Sequence, residues 1–331
     1  MLVFNFFKGY TFGTVMNDEK LLIKVACYYY QQELTQNQIA VKLGMSRQRV
    51  NRLLKRSRDE GIVDIRIRGE RENHIDLETA LELEYGLLQA VVVTTPEEER
   101  LHFILGNATA QYMQERIHDG MTVGISWGRT IHEAAELFDP PNKLKDIQVL
   151  QMVGNMNNVN RSGQPDEVTR LVADKLNGEA RLLFAPVYVK NKITKYTLIR
   201  EESIRSVLDE LPRCDIAFLS VSHENFWKSY VNEEELKEKV SRQMEDMDAA
   251  GNICLMYYDR NGQVLPLCLH ELIIGIDFDV LKTIPNVVCS AGGREKRTAI
   301  LGALHGKLLN TLITDYETAV YLLDNSPNHN R

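Results

Sequence analysis

Three short glycine-bearing segments hold most of the groups able to bind a small polar ligand. Ser126-Trp127-Gly128-Arg129-Thr130 follows the β-branched run MTVGI, Gly154-Asn155-Met156-Asn157 follows IQVLQMV, and Gly292-Gly293-Arg294-Glu295-Lys296-Arg297 follows NVVCSA. Glycine lets the chain turn sharply after a strand, and the amides at the start of a following helix point outward with partial positive charge. Hydroxyls and cations beside such amides suit an anion, a phosphate in particular. The candidate ligand residues are Ser126, Trp127, Gly128, Arg129, Thr130, Gly154, Asn155, Gly292, Gly293, Lys296 and Arg297.

A second chemistry lies in LTQNQIAVKLGMSRQRVNRLLKRSRDEGIVDIRI, residues 34 to 67. Thr35 stands three residues before Gln38, the spacing of a capping box, and Ile39, Ala40 and Leu43 supply a buried stripe. Gly44 permits a sharp turn and Ser46 caps a second helix, which buries Val50, Leu53, Leu54 and Ser57 and turns a basic face outward. Arg pairs with guanine edges and Gln with adenine edges in the major groove, so Gln48, Asn51 and Arg52 are the candidate base readers. Arg47, Arg49, Lys55 and Arg56 suit phosphates, and the expected DNA-contacting set is Gln36, Ser46, Arg47, Gln48, Arg49, Asn51, Arg52 and Lys55. Gly61 ends the helix, and Ile62, Val63, Ile65 and Ile67 alternate with Asp64, Arg66 and Arg68 as a wing strand would. The pattern is that of a winged helix-turn-helix.

Charge follows the same division. Residues 18 to 71 carry +5 while the chain carries −7, which leaves −12 for the rest. A basic module on an acidic body attracts double-stranded DNA at one end only. The domains expected are a tail at 1–17, the winged helix-turn-helix at 18–70, and a linker helix with the ligand-binding domain at 71–331. Met16 opens MNDEKLLIKVACYYY directly ahead of the first amphipathic helix, so translation is expected to begin there. In that helix Leu21, Leu22, Val25, Ala26 and Tyr29 form the buried stripe, with Tyr28 and Tyr30 as further packing residues. Ile75 to Tyr85 reads as the linker helix.

The elements that must position the ligand loops are short apolar runs, LLQAVVV, MTVGIS, IQVLQMV, IAFLSV, ICLMYY, NVVCSA and TLIT. Between them lie helical stretches at 100–117, 129–137, 166–176, 233–247 and 296–309. Strands alternating with helices predict an α/β domain with a mostly parallel sheet covered on both faces, and ligands bind such sheets beyond the carboxyl ends of the strands. The five cysteines, Cys27, Cys214, Cys254, Cys268 and Cys289, form no metal-ligand spacing and read as reduced thiols of a cytoplasmic protein. No metal and no cofactor is expected, nor any membrane segment.

The reader LTQNQIAVKLGMSRQRVNRLL, LGNATAQYM at 105–113, GISWGRT at 124–130, YYDRNGQVL at 257–265 and AGGREKRTAILGALHGKLLNTLITDYETA at 291–319 carry a resemblance. From residue 18 to about 324 the chain resembles the SorC family of sugar-responsive bacterial transcriptional regulators, within the SorC/DeoR grouping. The resemblance implies a doubly wound ligand domain akin to sugar-phosphate isomerases and deaminases, a homotetramer on an operator, and a phosphosugar effector. It also implies ligand roles for the GISWGRT loop, Asp259, and the AGG loop with Lys296. The chain departs from its relatives at Gly154-Asn155 and at Ser220-Val221-Ser222. Asn155 brings a side-chain amide, which leaves an unphosphorylated sugar or polyol open beside the phosphosugar.

A sugar-phosphate enzyme with an appended DNA module is the competing class. His223-Glu224 follows a strand roughly where the related deaminases have a catalytic histidine, but the surrounding DGH and NEP signatures are absent, and a general acid needs an oriented carboxylate and a held substrate. His270-Glu271 lacks the second histidine of a metalloprotease helix, and Lys190 reads as a solvated lysine. No catalytic residue is expected.

Overall fold

The computed structural model describes residues 18–63, 74–94, 98–156, 163–229 and 234–326, divided into two units, Met1–Arg68 and Gly69–Arg331. The expected tail and start site, the wing positions Asp64 to Arg68, and Asn157 lie outside the described residues.

In the first unit, α1 (Asp18–Ala26), α2 (Gln36–Leu43) and α3 (Arg47–Asp59) pack around Leu22, Val25, Ile39, Val50, Leu53 and Leu54. The capping box forms as the spacing predicts: Thr35 Oγ1 accepts from the Gln38 amide, and the Gln38 side chain accepts from the Thr35 amide at 2.9 Å. Gly44 adopts φ +64°, left-handed backbone that makes the turn between α2 and α3 possible. Ser46 caps α3 through the Arg49 amide at 3.2 Å. One expectation shifts. After α1 a single π-helical turn, Cys27–Gln31, inserts an extra residue and rotates the apolar face. Tyr28 therefore packs on the core, with Lys42 Nζ 5.3 Å from its ring centroid, while Tyr29 and Tyr30 are exposed.

The second unit begins with α4 (Ile75–Tyr85), followed by β1 (Gln89–Val93), α5 (Leu101–Arg116), β2 (Thr122–Ile125), α6 (Arg129–Leu137), β3 (Gln148–Gln151), α7 (Pro165–Leu176) and β4 (Glu179–Arg181). Then come α8 (Lys192–Leu198), α9 (Glu202–Glu210), β5 (Ile216–Leu219), α10 (Glu234–Asp246), β6 (Ala249–Ile253), β7 (Met256–Asp259), α11 (Phe278–Leu281), β8 (Asn286–Ser290), α12 (Arg297–His305), β9 (Thr311–Asp315) and α13 (Tyr316–Asp324). Seven strands form one parallel sheet in the order β1-β9-β8-β5-β2-β3-β4. Side chains alternate across it. Val123, Phe218, Val288 and Ile313 face α5, α6 and α7, whereas Ala217, Leu219, Val287, Cys289 and Leu312 share a core with α4, α10, α12 and α13.

One strand reading changes. ICLMYY is not a strand of the main sheet: it crosses the tight turn Cys254–Leu255 of the antiparallel hairpin β6–β7. The run hides its turn because both turn residues have positive φ, +50° and +67°, without glycine or asparagine. The short β4, Glu-Ala-Arg, and the helices α8 and α9 lack a signal that singled them out.

At one edge of the sheet, α4 supplies what β1 lacks. Glu78 Oε1 accepts the Val92 amide and Glu82 Oε1 the Ala90 amide, each at 2.9 Å, so two outward N–H groups of an edge strand are capped by carboxylates one helical turn apart. Burial, above all, raises the pKa of Glu78. The Tyr85 hydroxyl donates to the Leu322 carbonyl of α13 at 2.5 Å, and Leu81 is fully buried.

Candidate effector cavity and DNA-reading helix

β2 and β5 are adjacent, yet the chain leaves β2 toward β3 on one side and later places β5 on the other. That divergence opens a crevice at the carboxyl ends of the strands. A cavity of about 720 Å³ lies there. Its walls come from the loop after β2 (Trp127, Gly128, Arg129), the loop after β5 (Ser220, Ser222, His223), the loop after β8 (Glu295, Lys296), β6 with its turn (Asn252, Cys254), Met156 after β3, and α5 (His102, Phe103). His132 and Glu133 of α6 and Glu99 complete the polar rim.

One end of the cavity is cationic. Gly128 precedes α6 with φ +119° and ψ +162°, a conformation open essentially to glycine alone, and no side chain caps the helix amides behind it. Lys296 Nζ donates to Ser220 Oγ at 3.1 Å, and among the described residues neither it nor Arg129 has a carboxylate within ion-pair distance. Burial, with Arg129 nearby, lowers the Lys296 ammonium to about 8. Burial and the same two cations push His102 down to about 4, so its imidazole is neutral at pH 7 and shares a hydrogen bond with Thr130 Oγ1 at 3.1 Å. Lys296 and the exposed Arg129 on one wall favour an anion there, against the carboxylates of Glu99, Glu133 and Glu295 that share the lining. The Cys254 thiol, pushed up to about 12 by burial, stays protonated.

Of the ligand candidates, the fold brings Trp127, Gly128, Arg129 and Lys296 onto the cavity wall. Thr130 acts behind it through His102. Ser126 is 1% exposed, off the wall, with a hydroxyl that has no hydrogen-bond partner among the described residues. The others are engaged elsewhere. The Gly154 amide donates to the Ile274 carbonyl, and the Asn155 carboxamide oxygen accepts from Gln151 at 2.8 Å. Gly292 leaves room for the Asp315 carboxylate, which a Cβ would meet at 2.1 Å; that carboxylate and Thr318 take the Gly293 amide, which is therefore not free to cradle phosphate. Arg297 lies 5.5 Å from the Tyr321 ring and 3.9 Å from Glu317. Asp259 accepts from the Asn261 and Gln263 amides, holding a turn. His102, Phe103, Asn252 and Glu99 carried no local signal, since only the tertiary fold brings them onto the cavity wall; Ser220 and Ser222 stood out only as a departure from the family pattern.

On α3, Arg47, Gln48, Arg49, Asn51, Arg52 and Lys55 are exposed along one side, with Gln36 half-exposed at the start of α2. Arg56 is different. It pairs with Asp18 at 2.9 Å and Glu60 at 2.8 Å, so it braces α1 against α3 rather than standing ready for a phosphate.

A basic helix-turn-helix joined to a parallel α/β domain with an anion-ready cavity defines a ligand-responsive transcriptional regulator. Comparison with known proteins bears on which one. Residues 69–324 match the family described as "Putative sugar-binding domain", and residues 24–60 match "Sigma-70, region 4". The chain is 32% identical to the deoxyribonucleoside regulator of Bacillus subtilis, over 92% of this chain and 98% of that one, and 29% identical to the sorbitol operon regulator of Klebsiella pneumoniae, over 93% and 98%. The crystal structure of the full-length Klebsiella sorbitol operon regulator SorC superposes with a TM-score of 0.74 at 28% identity, covering 92% of this chain and 99% of the other. The chain belongs to the SorC family of sugar-binding, DNA-binding transcriptional regulators, whose named relatives here are regulators and not enzymes.

Proposed function

We propose that the cavity at the carboxyl edge of the sheet binds a small phosphorylated sugar whose presence changes the affinity of the protein for its operator. The observation that carries the reading is the presence of Arg129 and Lys296 together on the cavity wall beside the uncapped start of α6, in a lining that also holds the Ser220 and Ser222 hydroxyls, the Asn252 amide, the imidazoles of His102, His132 and His223, and the carboxylates of Glu99, Glu133 and Glu295. Ser222, His223 and Asn252 line the part of the cavity that a polyol chain would occupy, with the Asn252 carboxamide nitrogen held by the Ser222 and His223 carbonyls and His223 Nδ1 by the Asn225 amide. An unphosphorylated polyol is the second reading, favoured by the name of the sorbitol operon relative. Asn155 no longer supports it, because its carboxamide is tied to Gln151.

The ligand set of this reading is Trp127, Gly128, Arg129 and Lys296, extended by His102, Ser220, Ser222, His223 and Asn252; the operator set is that of α3 with Gln36. The regulator acts as a homotetramer in the cytoplasm, and the ligand relieves repression. To do so it must bind the two states unequally, and typical couplings of about 1 to 3 kcal/mol correspond to a 5- to 150-fold change in operator affinity.

The test is thermal unfolding of the full chain against sugars, polyols and their phosphates, since a ligand of the native state alone raises Tm. Stabilisation by a phosphosugar that is lost in Lys296→Met supports the reading. Stabilisation by unphosphorylated polyols alone transfers it to the second.

A further inference from the structure

A second cavity, of about 270 Å³, shares no lining residue with the first. The two meet across the β6–β7 turn: Cys254 lines one and Met256 the other, two residues apart. The second is walled by apolar side chains, Ile199, Leu208, Leu211, Ile274, Ile276 and Val280 among them. Into this wall is set one cation. Lys195 Nζ donates to the His270 carbonyl at 3.1 Å and forms no ion pair among the described residues. Its neighbour Lys192 is the one that pairs with Glu271.

We propose that this cavity is a second small-molecule site, taking a compact monocarboxylic acid with an apolar body: the carboxylate sits on Lys195 and the hydrocarbon against Leu208, Leu211 and Met256. The chemistry of the other polar groups selects that class. His270 Nε2 accepts the Tyr257 amide at 2.8 Å and its ring stacks on Tyr257, so this imidazole is held as a neutral acceptor. Burial pushes its pKa down to about 4, and it adds no second positive charge at pH 7. Asp277 stands exposed at the rim with one carboxylate oxygen on the Val280 amide, which disfavours a dianion such as a phosphate monoester. Burial lowers the pKa of Lys195, with Glu271 and Asp277 opposing, and an arriving carboxylate restores the stability of its charged form. One cation in an apolar pocket fits one negative charge with a greasy tail.

The shared turn links the two sites. Cys254 and Leu255 hold left-handed backbone that non-glycine residues adopt only under constraint from their surroundings. An acid pressing on Met256 shifts the far wall of the first cavity, so it changes affinity there. This linkage rests on the sugar reading of the first cavity; the site itself does not.

The experiment is thermal unfolding of the full chain, free of sugar, with hexanoate, 3-phenylpropionate and the uncharged 3-phenylpropanol at up to roughly 10 mM. The expected result is a rise of about 2 to 4 °C with the acids, none with the alcohol, and no rise in Lys195→Met. Leu208→Trp, which fills the cavity while keeping the cation, is expected to lose the effect as well. No shift with either acid, or a shift that survives in both variants, overturns the site. Acid stabilisation in a chain that ignores every phosphosugar upholds this site and removes the sugar reading instead.

Discussion

Lys296 is where the chemistry of the effector cavity is most exposed to test. An ammonium that is lowered to about 8 by burial is charged at pH 7 but loses its proton within the range of ordinary buffers. Phosphosugar affinity is therefore expected to fall as pH rises through about 8, and an isothermal titration series at constant ionic strength reads it; a flat profile would refute a charged contact from this residue. The stability sign is the opposite. The unfolded chain holds that proton up to its ordinary value of 10.5, so between about 8 and 10.5 the unfolded state binds more protons and the native state gains stability as pH rises. Lys296→Met is expected to lose the ligand response while leaving operator affinity within twofold, because the residue sits in the other unit from α3.

At the scale of elements, α3 separates two kinds of contact. Arg52→Ala is expected to weaken operator binding by about 1 to 3 kcal/mol and to relax preference at one base, whereas Lys55→Ala weakens specific and random DNA alike and flattens the salt slope. Anisotropy titrations on both DNAs at several salt concentrations decide it; equal losses for the two variants would remove the division between reader and anchor. Thr35→Ala is expected to destabilise the reader unit by about 1 kcal/mol, since the hydroxyl that accepts the Gln38 amide is lost and only the backbone half of the capping box remains. This element was legible in advance because caps, turn glycine and periodicity are all local. So were α5, α6, α7, α10 and α12. Errors arose where a local pattern was interrupted invisibly: the π-turn at Cys27–Gln31 rotates the tyrosines by one place, and the Cys254–Leu255 turn carries no turn residue. The cavity was half legible. Trp127, Gly128, Arg129 and Lys296 follow strands directly, but whether Gly293 and Arg297 face ligand or structure depends on Asp315 and Tyr321, distant partners that no spacing reveals, whereas Asp259 is taken up locally by the Asn261 and Gln263 amides of its own turn.

For the whole molecule, α4 is the first described helix after the reader, and it is fastened to the ligand domain at named points. Removing two of them, Glu82→Leu with Tyr85→Phe, is expected to cut the ligand-induced change in operator affinity to less than half its wild-type ratio, with sugar affinity nearly unchanged. Operator titrations with and without saturating ligand give that ratio. An unaltered ratio would mean that the signal bypasses α4.

The pairing of β1 with β9 has a consequence in time. Gln89–Val93 is made early, and its partner Thr311–Asp315 follows 222 residues later, so the sensor sheet cannot close until that whole stretch has left the ribosome. The reader has its own separate core, drawn from within residues 18–63. A growing chain thus owns a DNA-binding head before it owns a means of being switched.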